Sequence, residues 1–128
     1  MKEKILIKKV PLVSTLFLAI IEKNPGITGY DILKKINEVI KIPIEIKSGT
    51  LYTQLRRLES SGLVISEQEF SGRKLRRYKI TEKGKKELLA KLEKIKTRIK
   101  YFLIPLINYI ENNEKIKNIR NEIESKLS

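Results

Sequence analysis

The 128-residue chain carries 28 Lys and Arg against 15 Asp and Glu, a net charge of +13, with no His and no Cys. That length holds one small domain with an appendage, and the missing residue types exclude thiol nucleophiles, disulfides, the commonest zinc ligands and the usual neutral-pH general base, so no enzyme is expected. Hydrophobic content of 41% suffices for a core, a pI near 9.9 points to a polyanionic partner, and aromatics at 6% without Trp favour duplex DNA over a stacking platform for single strands.

The chain opens on a basic stretch, MKEKILIKKV, followed by the apolar run PLVSTLFLAII, which is the outline of a signal peptide. No small-residue cleavage site follows, the next residues being Glu22, Lys23, Asn24 and Pro25, and the run is too short to span a bilayer. A buried first helix over residues 11–23 is the preferred reading, with Pro11 in its first turn and Asn24-Pro25-Gly26 as its stop. A cytoplasmic protein without a membrane partner is expected.

Thr28 suits the N-cap of a second helix, with Asp31 near its positive end and Tyr30, Leu33, Ile36, Val39 and Ile40 at helical spacing. Over residues 41–47 the period changes to two, through Ile42, Ile44 and Ile46, which predicts a short strand or stretched linker. Ser48 is a candidate cap for a third helix over residues 49–60, where Leu51, Leu55 and Leu58 share one face and Ser61-Gly62 ends the run. Residues 63–70 and 75–80 read as strands around the turn Ser71-Gly72-Arg73-Lys74, a hairpin with a basic tip.

From Thr81 a long helix follows with Leu88, Leu92, Ile95, Ile99, Phe102, Leu106 and Ile110 at alternating steps of four and three, a seam that calls for another helix and predicts dimerisation. Pro105 is expected to kink or break it, Asn112-Asn113 to mark a second break, and Ile116, Ile119, Ile123 and Leu127 to form a separate or bent terminal helix. The order helix, helix, extended segment, helix, hairpin is that of a winged helix-turn-helix, in which the third helix enters the major groove. The chain is therefore expected to be mainly α with a small β-hairpin wing, a DNA-binding domain over residues 1–80 and a C-terminal helical dimerisation region over residues 81–128.

Residues 71–100 hold thirteen Lys and Arg against three Glu, so the excess charge lies in the wing and the helix after it. Most helix lysines there read as a solvated face, whereas Arg73, Lys74, Arg76 and Arg77 at a tight hairpin are expected to meet phosphates. On the third helix the direction opposite the three leucines belongs to Gly49, Thr53, Arg56 and Ser60, with Thr50, Tyr52 and Arg57 on the flanks and Gln54 nearer the core edge. Arg56 and Arg57 reach either guanine edges or phosphates, and Thr50 and Thr53 either a thymine methyl or a phosphate. Tyr52 either packs under the second helix or donates to a phosphate; Thr28 and Tyr30 either cap and pack or offer another phosphate site. Glu59, Glu67 and Glu69 have no partner in sequence that would make them an acid/base pair.

Three blocks in this order and spacing carry a resemblance: Gly29-Tyr30-Asp31-Ile32, then SGTLYTQLRRLESSGLV over residues 48–64, then RRYKITEKG over residues 76–84. Over about residues 10–90 the chain resembles the PadR family of transcriptional regulators, in its branch with the shorter C-terminal extension. Thr53 stands where the family commonly has proline; an early helical position admits either, so the helix is kept and the surface offered to DNA changes. The resemblance implies a homodimeric winged-helix repressor, with Ser48 and Gly49 at the start of its recognition helix and the C-terminal helix packed on the partner. It also implies the option of a small hydrophobic effector between subunits, where Phe102, Leu103, Ile107 and Tyr109 would line the space; plain dimer packing of these residues is the favoured alternative. No cofactor or metal is expected. An operator read by such a dimer is pseudo-palindromic. Two other classes compete: an architectural protein that coats DNA without sequence preference, and a peripheral membrane or partner-binding helical protein.

Overall fold

Helix α1 spans Leu12–Lys23 and buries Thr15, Phe17, Leu18, Ile20 and Ile21 on one face. The computed structural model describes residues 11–41, 43, 45–70 and 75–127. The basic opening stretch, Ile42 and Ile44 of the alternating segment, and the wing turn with Arg73 and Lys74 lie outside the described residues. Pro11 stands at the N-cap, one residue before the helix rather than in its first turn, and its carbonyl accepts from the Thr15 amide at 3.1 Å and the Thr15 hydroxyl at 2.8 Å. That second bond satisfies a hydroxyl that burial would otherwise leave at a cost.

Strand β1 is only Ile27–Thr28, and it leads straight into α2, Gly29–Lys35. Thr28 caps α2 as its sequence suggests, its hydroxyl accepting from the Asp31 amide at 3.2 Å. A π-helical turn, Ile36–Ile40, ends this helix on Lys41, whose amide donates to the Ile36 carbonyl at 2.9 Å. Helix α3 spans Ser48–Ser60, β2 is Val64–Glu69, β3 is Leu75–Ile80 and α4 is Glu82–Arg98. The end of α3 is a Schellman turn: the Gly62 amide donates to the Glu59 carbonyl at 3.0 Å and the Leu63 amide to the Leu58 carbonyl at 2.9 Å.

One expectation is corrected here. Ser48 does not cap α3: Lys47 holds the N-cap position in extended conformation, no side chain caps the end, and Ser48 is already the first helical residue. Of the two readings for residues 41–47, the described residues agree with the linker and form no strand; the sheet is ordered β1-β3-β2, and Ile27 and Thr28 pair with Tyr78 and Arg77 on the other side of β3 from β2. The wing is thus the larger part of a three-stranded antiparallel sheet.

The chain divides into two compact units, one covering Pro11–Lys91 and the other holding the described residues from Leu92 onward. In the first, Phe17, Leu18, Ile21, Ile32, Ile36, Leu51, Leu55, Leu58, Val64 and Tyr78 form one core drawn from three helices and the sheet. The start of α4 belongs to it: Thr81 caps the helix through the Gly84 amide at 3.0 Å, and Leu88 packs against the core. Any Cβ at position 84 would fall on the Leu63 carbonyl and the Ile80 side chain, so only glycine allows so close an approach.

In the second unit α4 passes into a π-helical turn, Ile99–Leu103, and then into α5, Ile104–Glu111, with Pro105 in its first turn. Pro105 therefore does not end the helix; the wider turn before it accommodates the missing N–H. The break comes at Asn112-Asn113, where the Asn113 side chain accepts from the Lys115 amide at 3.0 Å and α6, Glu114–Leu127, begins. Arg120 on α6 pairs with both Glu111 and Glu124, which raises its pKa mainly through the hydrogen bond to Glu124.

Candidate nucleic-acid interface

The spacing of Leu51, Leu55 and Leu58 presses one face of α3 into the core, where the first two are 1% exposed. Ser48, Gly49, Thr50, Tyr52, Arg56, Arg57 and Ser60 are consequently exposed on the rest of its surface, and the space around Gly49 is open. Thr53 departs from the expected outward direction: it is half-buried, and its hydroxyl accepts from Arg56 Nη2 at 3.4 Å. Gln54 is half-buried as expected.

Tyr52 also reaches sideways. Its ring and hydroxyl lie 3.1 Å from where a Cβ on Gly29 would stand, closer than ordinary van der Waals contact, so the glycine eases the approach of α2 to α3. Tyr30, one residue on, is 70% exposed, and its ring is free for an outside partner. Thr28, by contrast, is buried at the cap.

The wing divides its cations between two faces, as strand alternation requires. Arg76 shares a face with buried Tyr78 and turns toward α3; its Nη1 donates to Ser66 Oγ at 2.9 Å and its Nη2 to Gln68 Oε1 at 3.3 Å. Arg77 lies on the other face, where its Nε donates to Glu69 at 2.7 Å and its Nη1 to the Gly26 carbonyl at 3.0 Å. The structure thus brings Arg76 together with α3 and ties Arg77 to the body of the domain. The Ser66 hydroxyl is shared with the Glu59 carboxylate of α3, at 2.9 and 2.8 Å.

These elements enclose an open groove of about 640 Å³ whose walls include Gly29, Tyr30, Tyr52, Arg56, Glu59 and Arg76. Burial raises the pKa of Tyr78 at its base, and the charges of Arg76 and Glu59 act on it in opposite directions. Glu59, Ser66 and Gln68 were not singled out as interface residues from sequence. The hairpin register pairs Ser66 with Tyr78, Gln68 with Arg76 and Glu69 with Leu75. Counting back from the four-residue turn expected at 71–74 would instead set Gln68 opposite Arg77, one residue out of register and on the other face, so the arrangement was not recoverable that way.

Among the described residues no group of three or more acidic or other metal-ligating side chains converges, and no helix is long and apolar enough to cross a membrane. The seam residues Leu92, Ile99, Phe102, Leu106 and Ile110 are each 40–44% exposed and Ile95 is half-buried, whereas Leu88 belongs with the winged-helix core.

Comparison with known proteins is consistent with this architecture. The model of the transcriptional regulator PadR-like family matches residues 17–90. A Streptococcus mutans protein of known structure is 31% identical, covering 80% of this chain and 93% of its own, with a TM-score of 0.62. A transcriptional regulator from Clostridium thermocellum is 28% identical, with coverage of 77% and 91% and a TM-score of 0.64. Bacillus subtilis PadR, solved in complex with operator DNA, shares the fold at 23% identity and a TM-score of 0.60; the match covers 66% of this chain and 48% of that one, so the chain spans about half the length of this relative. A search of curated proteins returned no match. With the family model matching more than half of its length, on a winged helix-turn-helix fold, the chain belongs to the PadR-like family of transcriptional regulators and is not an enzyme.

Proposed function

We propose that the protein is a homodimeric repressor that binds a pseudo-palindromic DNA operator, with α3 of each subunit in the major groove and the wing against the flanking backbone. The observation that carries this reading is the division of α3 itself: leucines buried on one side, and Gly49, Thr50, Arg56 and Arg57 exposed on the other, with Arg76 of the wing beside them. Arg56 is the leading candidate for base reading and Arg76 for phosphate contact; Tyr30 and Tyr52 border the same groove, and Ser48 and Thr50 are exposed on the first turn of α3. Arg77, held by Glu69 and Gly26, braces β3 in the sheet. The partner complex of Bacillus subtilis PadR supports a duplex as the ligand.

The dimer part of the reading rests on the row of large apolar side chains left exposed from Leu92 to Ile110. A second copy would cover it, and a small hydrophobic effector would sit among Phe102, Leu103, Ile107 and Tyr109. A cytoplasmic location follows from the proposed ligand.

Selection of duplexes from a random pool, followed by titration at fixed salt, tests the reading. Enrichment of a twofold-symmetric site with half-sites about 10 bp apart, or a multiple of that, is expected. Arg56→Ala should then cost about 1–3 kcal/mol on the selected site and much less on random duplex, while Arg76→Ala should weaken both and flatten the salt dependence. No difference between selected and random duplex would favour an architectural, DNA-coating role instead, which the charge of +13 would also serve.

A further inference from the structure

Glu59 lies in the last turn of α3, three residues beyond Arg56, on a surface otherwise rich in cations. A carboxylate at this place is opposed by the negative end of the helix and by any phosphate that approaches. Neither helix stability nor raw affinity for DNA accounts for it. Its partner on the wing does: Glu59 accepts from Ser66 Oγ, and Arg76 Nη1 donates to the same hydroxyl.

The direction of this relay is fixed by chemistry. A guanidinium has donors only, a carboxylate acceptors only, and a hydroxyl has a single proton. Ser66 therefore accepts from Arg76 and gives its proton to Glu59, so the chain of bonds runs from β3 through β2 to α3. Gln68 holds the second prong of the guanidinium. All of these bonds are exposed, so each adds little to folding stability. Their consequence is geometric: they link the orientation of a wing arginine to the recognition helix at the rim of the groove.

We propose that Glu59 is a positioning residue for DNA recognition, which acts through Ser66 to hold Arg76 in register with α3 and whose charge disfavours duplexes on which that register fails. The inference rests on the reading of α3 and the wing as the duplex-binding surface. Loss of the carboxylate removes a repulsion felt on every duplex and an alignment felt only on the correct one, so its two effects have opposite signs on random and specific DNA.

The test uses the full chain carrying Glu59→Ala, Ser66→Ala, Arg76→Ala and the Glu59→Ala/Arg76→Ala double substitution; alanine is used at 59 because a glutamine oxygen would still accept from Ser66. Each is titrated at fixed salt against a duplex selected by the unsubstituted chain and a random-sequence duplex of equal length. Glu59→Ala is expected to leave random duplex bound as tightly as before or tighter and to lower the ratio of selected to random affinity about tenfold, within the range of one lost specific contact. Ser66→Ala should lower the same ratio with the charge still present. Arg76→Ala should cost less on the selected duplex when Glu59 is already Ala, the signature of a coupled pair. Equal losses on both duplexes in Glu59→Ala or Ser66→Ala, or losses that multiply in the double variant, overturn the proposal. If Glu59→Ala fails to fold, Ser66→Ala decides, and an unchanged ratio overturns it. A chain that prefers no selected duplex overturns the duplex reading itself, a result distinct from failure of the relay.

Discussion

The two units use the same amino-acid vocabulary to different ends. In Pro11–Lys91 the apolar residues at helical spacing, such as Leu51, Leu55 and Leu58, are closed into a core, whereas Ile99, Phe102, Leu106 and Ile110 in the other unit repeat at similar steps and stay more than 40% exposed. Periodicity states which face of a helix is apolar; it does not state what covers that face. In the first unit the cover is the chain's own sheet and helices, and in the second our reading assigns it to another copy.

The sharpest way to break this contrast is to substitute one large apolar residue in each kind of setting. Leu55→Ala opens a cavity in the closed core and should cost about 2–5 kcal/mol in denaturant unfolding, at any protein concentration. Phe102→Glu should act differently, because the side chain is open in the single chain. Sedimentation at a series of concentrations is expected to show dimer dissociation shifted by at least about thirtyfold, the effect of a central interface residue. Unfolding of the Pro11–Lys91 unit should change by no more than about 0.5 kcal/mol. A monomeric parent chain, or a Phe102→Glu chain that dimerises as well as the parent, would remove the second copy from the explanation.

What could be read from sequence follows the same division. Burial of Leu51, Leu55 and Leu58, the cap at Thr28, the hairpin and the break at Asn112-Asn113 are written in local spacing and local chemistry. The strand at Ile27–Thr28 is not, since two residues show no alternation and exist as a strand only through pairing with Arg77 and Tyr78 some fifty positions away. The π-helical turns at Ile36–Ile40 and Ile99–Leu103 also escape, because one extra residue per turn shifts the phase that a periodicity count assumes to be constant. Leu88 fits the apolar seam in sequence but packs against the core, because Gly84 seats the start of α4 directly against Leu63. On the interface, residue type singled out the arginines; the difference between Arg76 and Arg77 came from strand parity and from Glu59, Ser66, Glu69 and Gly26, partners supplied by tertiary structure.

The smallest effect expected concerns the end of the first π-helical turn, within the closed unit. Lys41 sits at φ 58° and ψ 38°, left-handed backbone that costs an L-residue with a Cβ about 1–2 kcal/mol. Its amide is nevertheless required there, because it closes the turn on the Ile36 carbonyl, and Ile36 is a core residue. Glycine keeps that amide and removes the steric penalty, while adding backbone freedom to the unfolded chain. The two effects oppose each other, and the steric one is the larger, so Lys41→Gly should stabilise the unit by roughly 0.5–1 kcal/mol. The gain should appear as a higher denaturant midpoint with an unchanged slope. Lys41→Ala provides the control: it removes the same long side chain but keeps the Cβ, so a gain of equal size in Lys41→Ala would locate the effect in the side chain and not in the backbone.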